Sequence, residues 1–136
     1  MNIDFGREFF VSIEAIGDLK DSVDHCLSDA LVPLPVKNKL FLILDEILSN
    51  LIRYASASDQ HSVVVQFHLK QHGEMLRLQL RDSGPEFNPL QVEDPDTSLA
   101  LEQREPGGLG LYLIKKLSLS VHYSHENGWN VLTLEI

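Results

Sequence analysis

With 136 residues, 43% of them hydrophobic, the chain has the length of one domain, and a chain this long buries roughly two-thirds of its unfolded surface, enough for a core without a metal or disulfide staple. The net charge of −9 argues against nucleic acid as a partner, because phosphate contacts need clustered Lys and Arg. A single cysteine, Cys26, an N-terminus without a basic start or long apolar run, and no stretch near about 18 apolar residues together predict a cytoplasmic protein without a membrane span.

In chain order, Phe9–Ile13 follows Gly6 and predicts a strand. From Glu14 to Ala30, Ile16, Leu19, Val23, Cys26, Leu27 and Ala30 recur at helical spacing, which makes Cys26 a packing residue. Pro33 and Pro35 break the chain, and Pro35 suits the first turn of a helix reaching Ala57. The middle of that helix, Leu40–Leu51, is apolar on nearly every side, so it is expected to be buried, and Asp45, Glu46 and Asn50 within it need partners. Ser62–Leu69 and the strictly alternating Met75–Arg81 predict an antiparallel hairpin with Arg77, Gln79 and Arg81 outward.

The following segment, 84–107, is acidic and carries Pro85, Pro89, Pro95 and Pro106. A loop that long inside a domain reads as a lid, with a short helix near Ser98–Gln103. Gly108–Leu119 predicts a third helix, and Ser120–Ser124 and Asn130–Ile136 a second hairpin turning at Glu126-Asn127-Gly128. Helices interleaved with hairpins predict an α+β two-layer sandwich, with a mixed or antiparallel sheet of about five strands and three helices on one face.

Three stretches carry candidate chemistry. Glu46 and Asn50 stand one helical turn apart on one face; an amide oxygen suits Mg²⁺, and a neighbouring carboxylate can orient or deprotonate a hydroxyl. Asp82 ends a strand just before Gly84; a carboxylate accepts without donating and so selects an exocyclic amine such as that of adenine, and glycine lets a flat base approach the backbone. Gly107, Gly108 and Gly110 open an apolar helix, where free N–H groups and the helix dipole favour phosphate. Each stretch also has a plain reading, as solvated helix face, ordinary turn or hinge. The six histidines show no metal-ligand spacing, and Trp129 and Phe87 read as packing residues.

The order and separation of these stretches resemble the GHKL ATPase superfamily, with its Bergerat nucleotide site, over nearly the whole chain. Asp45–Ala55 looks like its N box, Asp82–Pro89 its G1 box and Pro106–Ile114 its G2 box. The chain is most similar to the small stand-alone anti-sigma factor serine kinases. By position, the resemblance implies that Asn50 binds Mg²⁺, Glu46 acts as general base or orients water, and Asp82 with Gly84 receives adenine. It further implies that Gly108, Gly110 and Leu111 meet the phosphates, that Thr133 helps hold the base, and that Arg104 reaches a phosphate from a lid spanning 88–107. Glu86, Asn88, Leu119 and Ser120 depart from the family's usual residues without removing a nucleotide contact.

The expected function is therefore a Mg-ATP-dependent protein serine kinase. It would phosphorylate a serine on a small antagonist protein and bind a sigma factor. The alternative is a non-catalytic ATP/ADP-dependent switch that regulates a partner. A homodimer through the free edge of the first strand is a further expectation.

Overall fold

A computed structural model describes residues 2–57, 63–91 and 108–136. Its elements are β1 (Asp4–Phe10), α1 (Ile13–Asp29), α2 (Leu34–Ala57), β2 (Val64–His72), β3 (Met75–Asp82), a 3-10 turn (Pro89–Gln91), α3 (Gly108–Leu117), β4 (Ser120–Glu126) and β5 (Trp129–Glu135). The strands form one sheet in the order β1-β2-β3-β5-β4, with every neighbouring pair antiparallel. This is the expected α+β architecture, with the sheet antiparallel throughout.

Alternation sorts the two faces of the sheet. Val65, Phe67, Leu69, Leu76, Leu78, Leu80, Leu132 and Leu134 are buried in one core with Leu19, Val23 and Leu27 of α1 and with Leu40, Ile43, Leu44, Ile47, Leu48 and Leu51 of α2. The intervening residues lie on the other face, Lys70, Arg77 and His122 exposed among them. Asp4 and His68 meet there, Nε2 to Oδ1 at 2.6 Å. β1 and β4 are the two edges.

The first strand differs from expectation. It spans Asp4–Phe10 and runs through Gly6, rather than starting after it. Pairing decides this: β1 keeps register with β2 from Asp4 opposite Lys70 to Phe10 opposite Val64. Phe5, Arg7 and Phe9 alternate toward the helices. Ser12 then leaves the strand to cap α1, its hydroxyl accepting from the Ala15 N–H at 3.0 Å. Ile13 therefore opens a helix instead of ending a strand. The turn between β4 and β5 falls where expected, with Asn127 and Gly128 at φ 52° and 85°, the left-handed pair of a tight hairpin. The segment 92–107, with the anticipated helix near Ser98–Gln103, lies outside the described residues, and the short 3-10 turn at Pro89–Gln91 was not foreseen.

Candidate functional site

Where β3 ends, the sheet and α2 part to leave an open cleft. Ile47, Asn50 and Leu51 form its α2 wall, and Leu80, Asp82 and Leu132 its sheet floor. The segment after β3 supplies Gly84, Pro85, Phe87 and Pro89, while Ile114 of α3 and Tyr123 of β4 close the sides. The lining is largely apolar, with Asn50, Asp82 and Asn130 as its polar points. Apolar walls with a few convergent polar groups are the usual make-up of a small-molecule site.

The β3–β5 register sets Asp82 directly opposite Asn130. The Asp82 Oδ1 accepts from the Gly84 N–H and from Asn130 Nδ2, each at 3.0 Å. Asn130 Nδ2 also reaches the carbonyls of Pro85 at 2.9 Å and Gly84 at 3.4 Å. Its Oδ1 accepts from the Phe87 N–H at 3.1 Å and from the Tyr123 hydroxyl at 2.6 Å. Asn130 is itself buried, and both ends of its amide are satisfied, as a buried amide requires. Burial pushes the Asp82 carboxyl above its ordinary 3.8; the bonds from Asn130 and Gly84, and the nearby His125, pull the other way. Gly84 approaches so closely that a Cβ there would meet Asp82 Oδ1 at 3.0 Å.

On α2, Asn50 is 8% exposed and lines the cleft. Its Oδ1 accepts from Arg53 Nη2 at 2.5 Å. Glu46, one turn earlier, is half-buried and stands outside the cleft lining. Among the described residues no group of three or more His, Cys, Asp or Glu is placed to hold a metal. A single amide oxygen in the wall of a cleft fits Mg²⁺, which keeps several waters and takes few protein ligands. The fit requires Arg53 to yield Oδ1.

Residues 12–136 match the family described as histidine kinase-like ATPase domain. The chain belongs to that family. Among its relatives, the serine/threonine-protein kinase BtrW of Bordetella bronchiseptica is 32% identical over 95 residues, covering 70% of this chain and 66% of that protein. The serine-protein kinase RsbW of Bacillus mycoides is 27% identical over 95 residues, 67% of this chain and 58% of that one. The chain thus spans less than two-thirds of the length of these relatives. A chain in the crystal structure of the SiaB–SiaC complex from Pseudomonas aeruginosa shares the fold, with a TM-score of 0.71 at 14% identity, over 97% of this chain and 88% of that one.

Within this histidine kinase-like ATPase domain, the cleft brings together Asn50, Asp82 and Gly84 of the anticipated residues. Gly108, Gly110 and Leu111 make up the first turn of α3, which reaches the cleft through Ile114. Gly107 and Arg104 lie outside the described residues, as does the side chain of Leu111. Thr133 is not brought to the site. It is paired with Gln79, whose Nε2 donates to its hydroxyl at 3.2 Å on the opposite face of the sheet. Parity is the reason: on β5, Asn130, Leu132 and Leu134 face the helices, so Thr133 cannot. Asn130 holds the polar position on that strand instead. Asn130, Tyr123 and Arg53 were not singled out from the sequence. Counting back in twos from Leu134 would have found the first of them. Phe87, read as a packing residue, packs against the core and lines the cleft as well. No helix among the described residues is long and apolar enough to cross a membrane.

Proposed function

We propose that this domain binds Mg-ATP in the cleft and acts as a protein serine kinase of the anti-sigma factor type. It phosphorylates a serine on a small antagonist protein and binds a sigma factor. The observation that carries the reading is the convergence of an acceptor-only carboxylate, a glycine approach and a buried amide oxygen around an apolar slot, with a glycine-opened helix beside it. Two relatives named as serine-protein or serine/threonine-protein kinases support the same class.

Asp82 Oδ2 accepts from the adenine amine, and the apolar walls suit a flat base. The backbone N–H groups of Gly108 and Gly110 begin α3 and suit phosphate oxygens. Asn50 is the residue that would hold Mg²⁺, which when bound neutralises charge on the phosphates. Glu46 takes the proton of the acceptor serine or orients its hydroxyl. Phosphoryl transfer needs mainly positioning and charge stabilisation, so few side chains suffice. Arg104 completes the set from the lid. The free edge of β1 suits a homodimer, and the protein acts in the cytoplasm.

The test is transfer from labelled ATP to the cognate antagonist. The expected result is label on a serine, abolished by Glu46→Gln. No label, with ATP binding intact, would sink the kinase reading. That outcome favours the second reading, an ATP/ADP-dependent switch without transfer, for which the place of Glu46 outside the cleft lining is the supporting observation. Under it, Glu46→Gln leaves partner regulation unchanged.

A further inference from the structure

The geometry points to Asn130 as the positioning residue that makes Asp82 discriminate between purine bases, an inference that rests on the nucleotide reading of the cleft. Asn130 is not a base contact. Both ends of its amide are engaged by protein, and their partners fix which way it faces. Nδ2 looks at three oxygens: Asp82 Oδ1 and the carbonyls of Pro85 and Gly84. Oδ1 looks at two donors, the Phe87 N–H and the Tyr123 hydroxyl. A flipped amide would set oxygen against oxygen and N–H against N–H, so the orientation is determined by its surroundings.

The consequence falls on Asp82. Its Oδ1 holds two N–H groups, from Asn130 and Gly84, and cannot swing into the cleft without losing both. Oδ2 is left as the acceptor toward a ligand; among the described residues no hydrogen bond engages it. An ionised carboxylate held this way welcomes a base with an exocyclic amine at the 6-position and repels one with a 6-oxo group. A site built to receive a donor rejects the analogue that lacks it far more strongly than an apolar pocket rejects a change of size. Without Asn130, the carboxyl loses a bond that favours its charged form and its fixed rotation. It could then turn, or carry a proton and donate to a 6-oxo group. Tyr123 sits one step further out, bracing Asn130 from β4.

The experiment compares calorimetric binding of ADP and inosine diphosphate, which differ at the 6-position, to the full chain and to Asn130→Ala. The wild type is expected to prefer ADP. In Asn130→Ala, ADP binding weakens about tenfold, the order set by one hydrogen bond to a charged group, while inosine diphosphate stays within about twofold, so the preference falls by the same factor. Equal weakening of both nucleotides would mean a merely structural role and overturn the inference. Equal binding of both by the wild type also overturns it, while leaving nucleotide binding standing; failure of the wild type to bind either removes both readings. If Asn130→Ala does not fold, Tyr123→Phe decides: removing one hydroxyl should lower the ADP preference by about twofold to threefold, and an unchanged preference overturns the proposal.

Discussion

The guanidinium of Arg53 donates to the side-chain oxygen of Asn50 at 2.5 Å, and that oxygen is the atom proposed to hold Mg²⁺. Under that proposal, one residue on α2 competes with the metal for its ligand. Arg53 is exposed, so water offers it an alternative and the competition is modest. Arg53→Ala is expected to raise the apparent Mg²⁺ affinity of the ADP complex by about threefold, a fraction of a typical hydrogen bond's net worth. ADP binding in chelator should be unchanged. Titrating Mg²⁺ at fixed ADP measures it; weaker ADP binding in chelator would instead mean that Arg53 touches the nucleotide.

Asp82→Asn separates binding from stability. The asparagine keeps an oxygen that can accept from the Gly84 N–H and Asn130 Nδ2, so the local turn survives. It replaces the acceptor Oδ2 with a donor, and ADP binding should fall by at least about a hundredfold. The unliganded fold should gain. Burial raises the Asp82 carboxyl above 3.8 in the folded chain, so the native state holds its proton more tightly than the unfolded one. A group of this kind contributes stability below its unfolded value and loses it as pH rises through the folded value. Near neutral pH the wild type therefore carries a penalty that the amide lacks. Thermal melts should show Asp82→Asn above wild type at pH 7, with the gap closing toward pH 4; a lower melting temperature at pH 7 would contradict this account.

Ser12→Ala tests the start of α1. The hydroxyl satisfies the Ala15 N–H at the start of α1, and losing such a cap costs about 1 kcal/mol. For a domain this size the melting temperature should drop by roughly 3–5 °C. α1 does not line the cleft, so ADP affinity should not move; melting and calorimetry on one preparation check both.

The fold was legible because the hydrophobic periods are clean. Leu76, Leu78 and Leu80 alternate, Ile16, Leu19, Val23 and Leu27 follow helical spacing, and Asn127-Gly128 marks its own turn. β1 was misplaced because Gly6 reads locally as a breaker, whereas pairing with β2 overrides that weak preference. At the site, Asn50, Asp82 and Gly84 could be picked out because each sits where a regular element ends or turns polar. Asn130 could not be chosen by residue type, since nothing about a lone asparagine after a turn announces a ligand site. Its role comes from being opposite Asp82 in the sheet, a relation between residues 48 apart in sequence. Thr133 was chosen by resemblance against the alternation of its own strand. The Arg53–Asn50 contact depends on a side-chain rotamer, which sequence spacing permits and does not dictate.

Gly84→Ala probes how closely the backbone must approach. A Cβ at this position would meet Asp82 Oδ1 at 3.0 Å, with a Val63 methyl at 3.6 Å. The valine contact is ordinary, so the strain falls on the carboxylate. To relieve it, Asp82 must turn by a few tenths of an ångström, stretching the bonds from Gly84 and Asn130 that hold Oδ1. The fold should persist, because the carboxylate is the far end of a short side chain and not backbone. ADP affinity should fall about tenfold, on the scale of one impaired charged hydrogen bond, with the melting temperature within a few degrees of wild type. Unchanged ADP affinity in the folded variant would show that the placement of Asp82 tolerates such a shift, and that its distance from the base is not what limits binding.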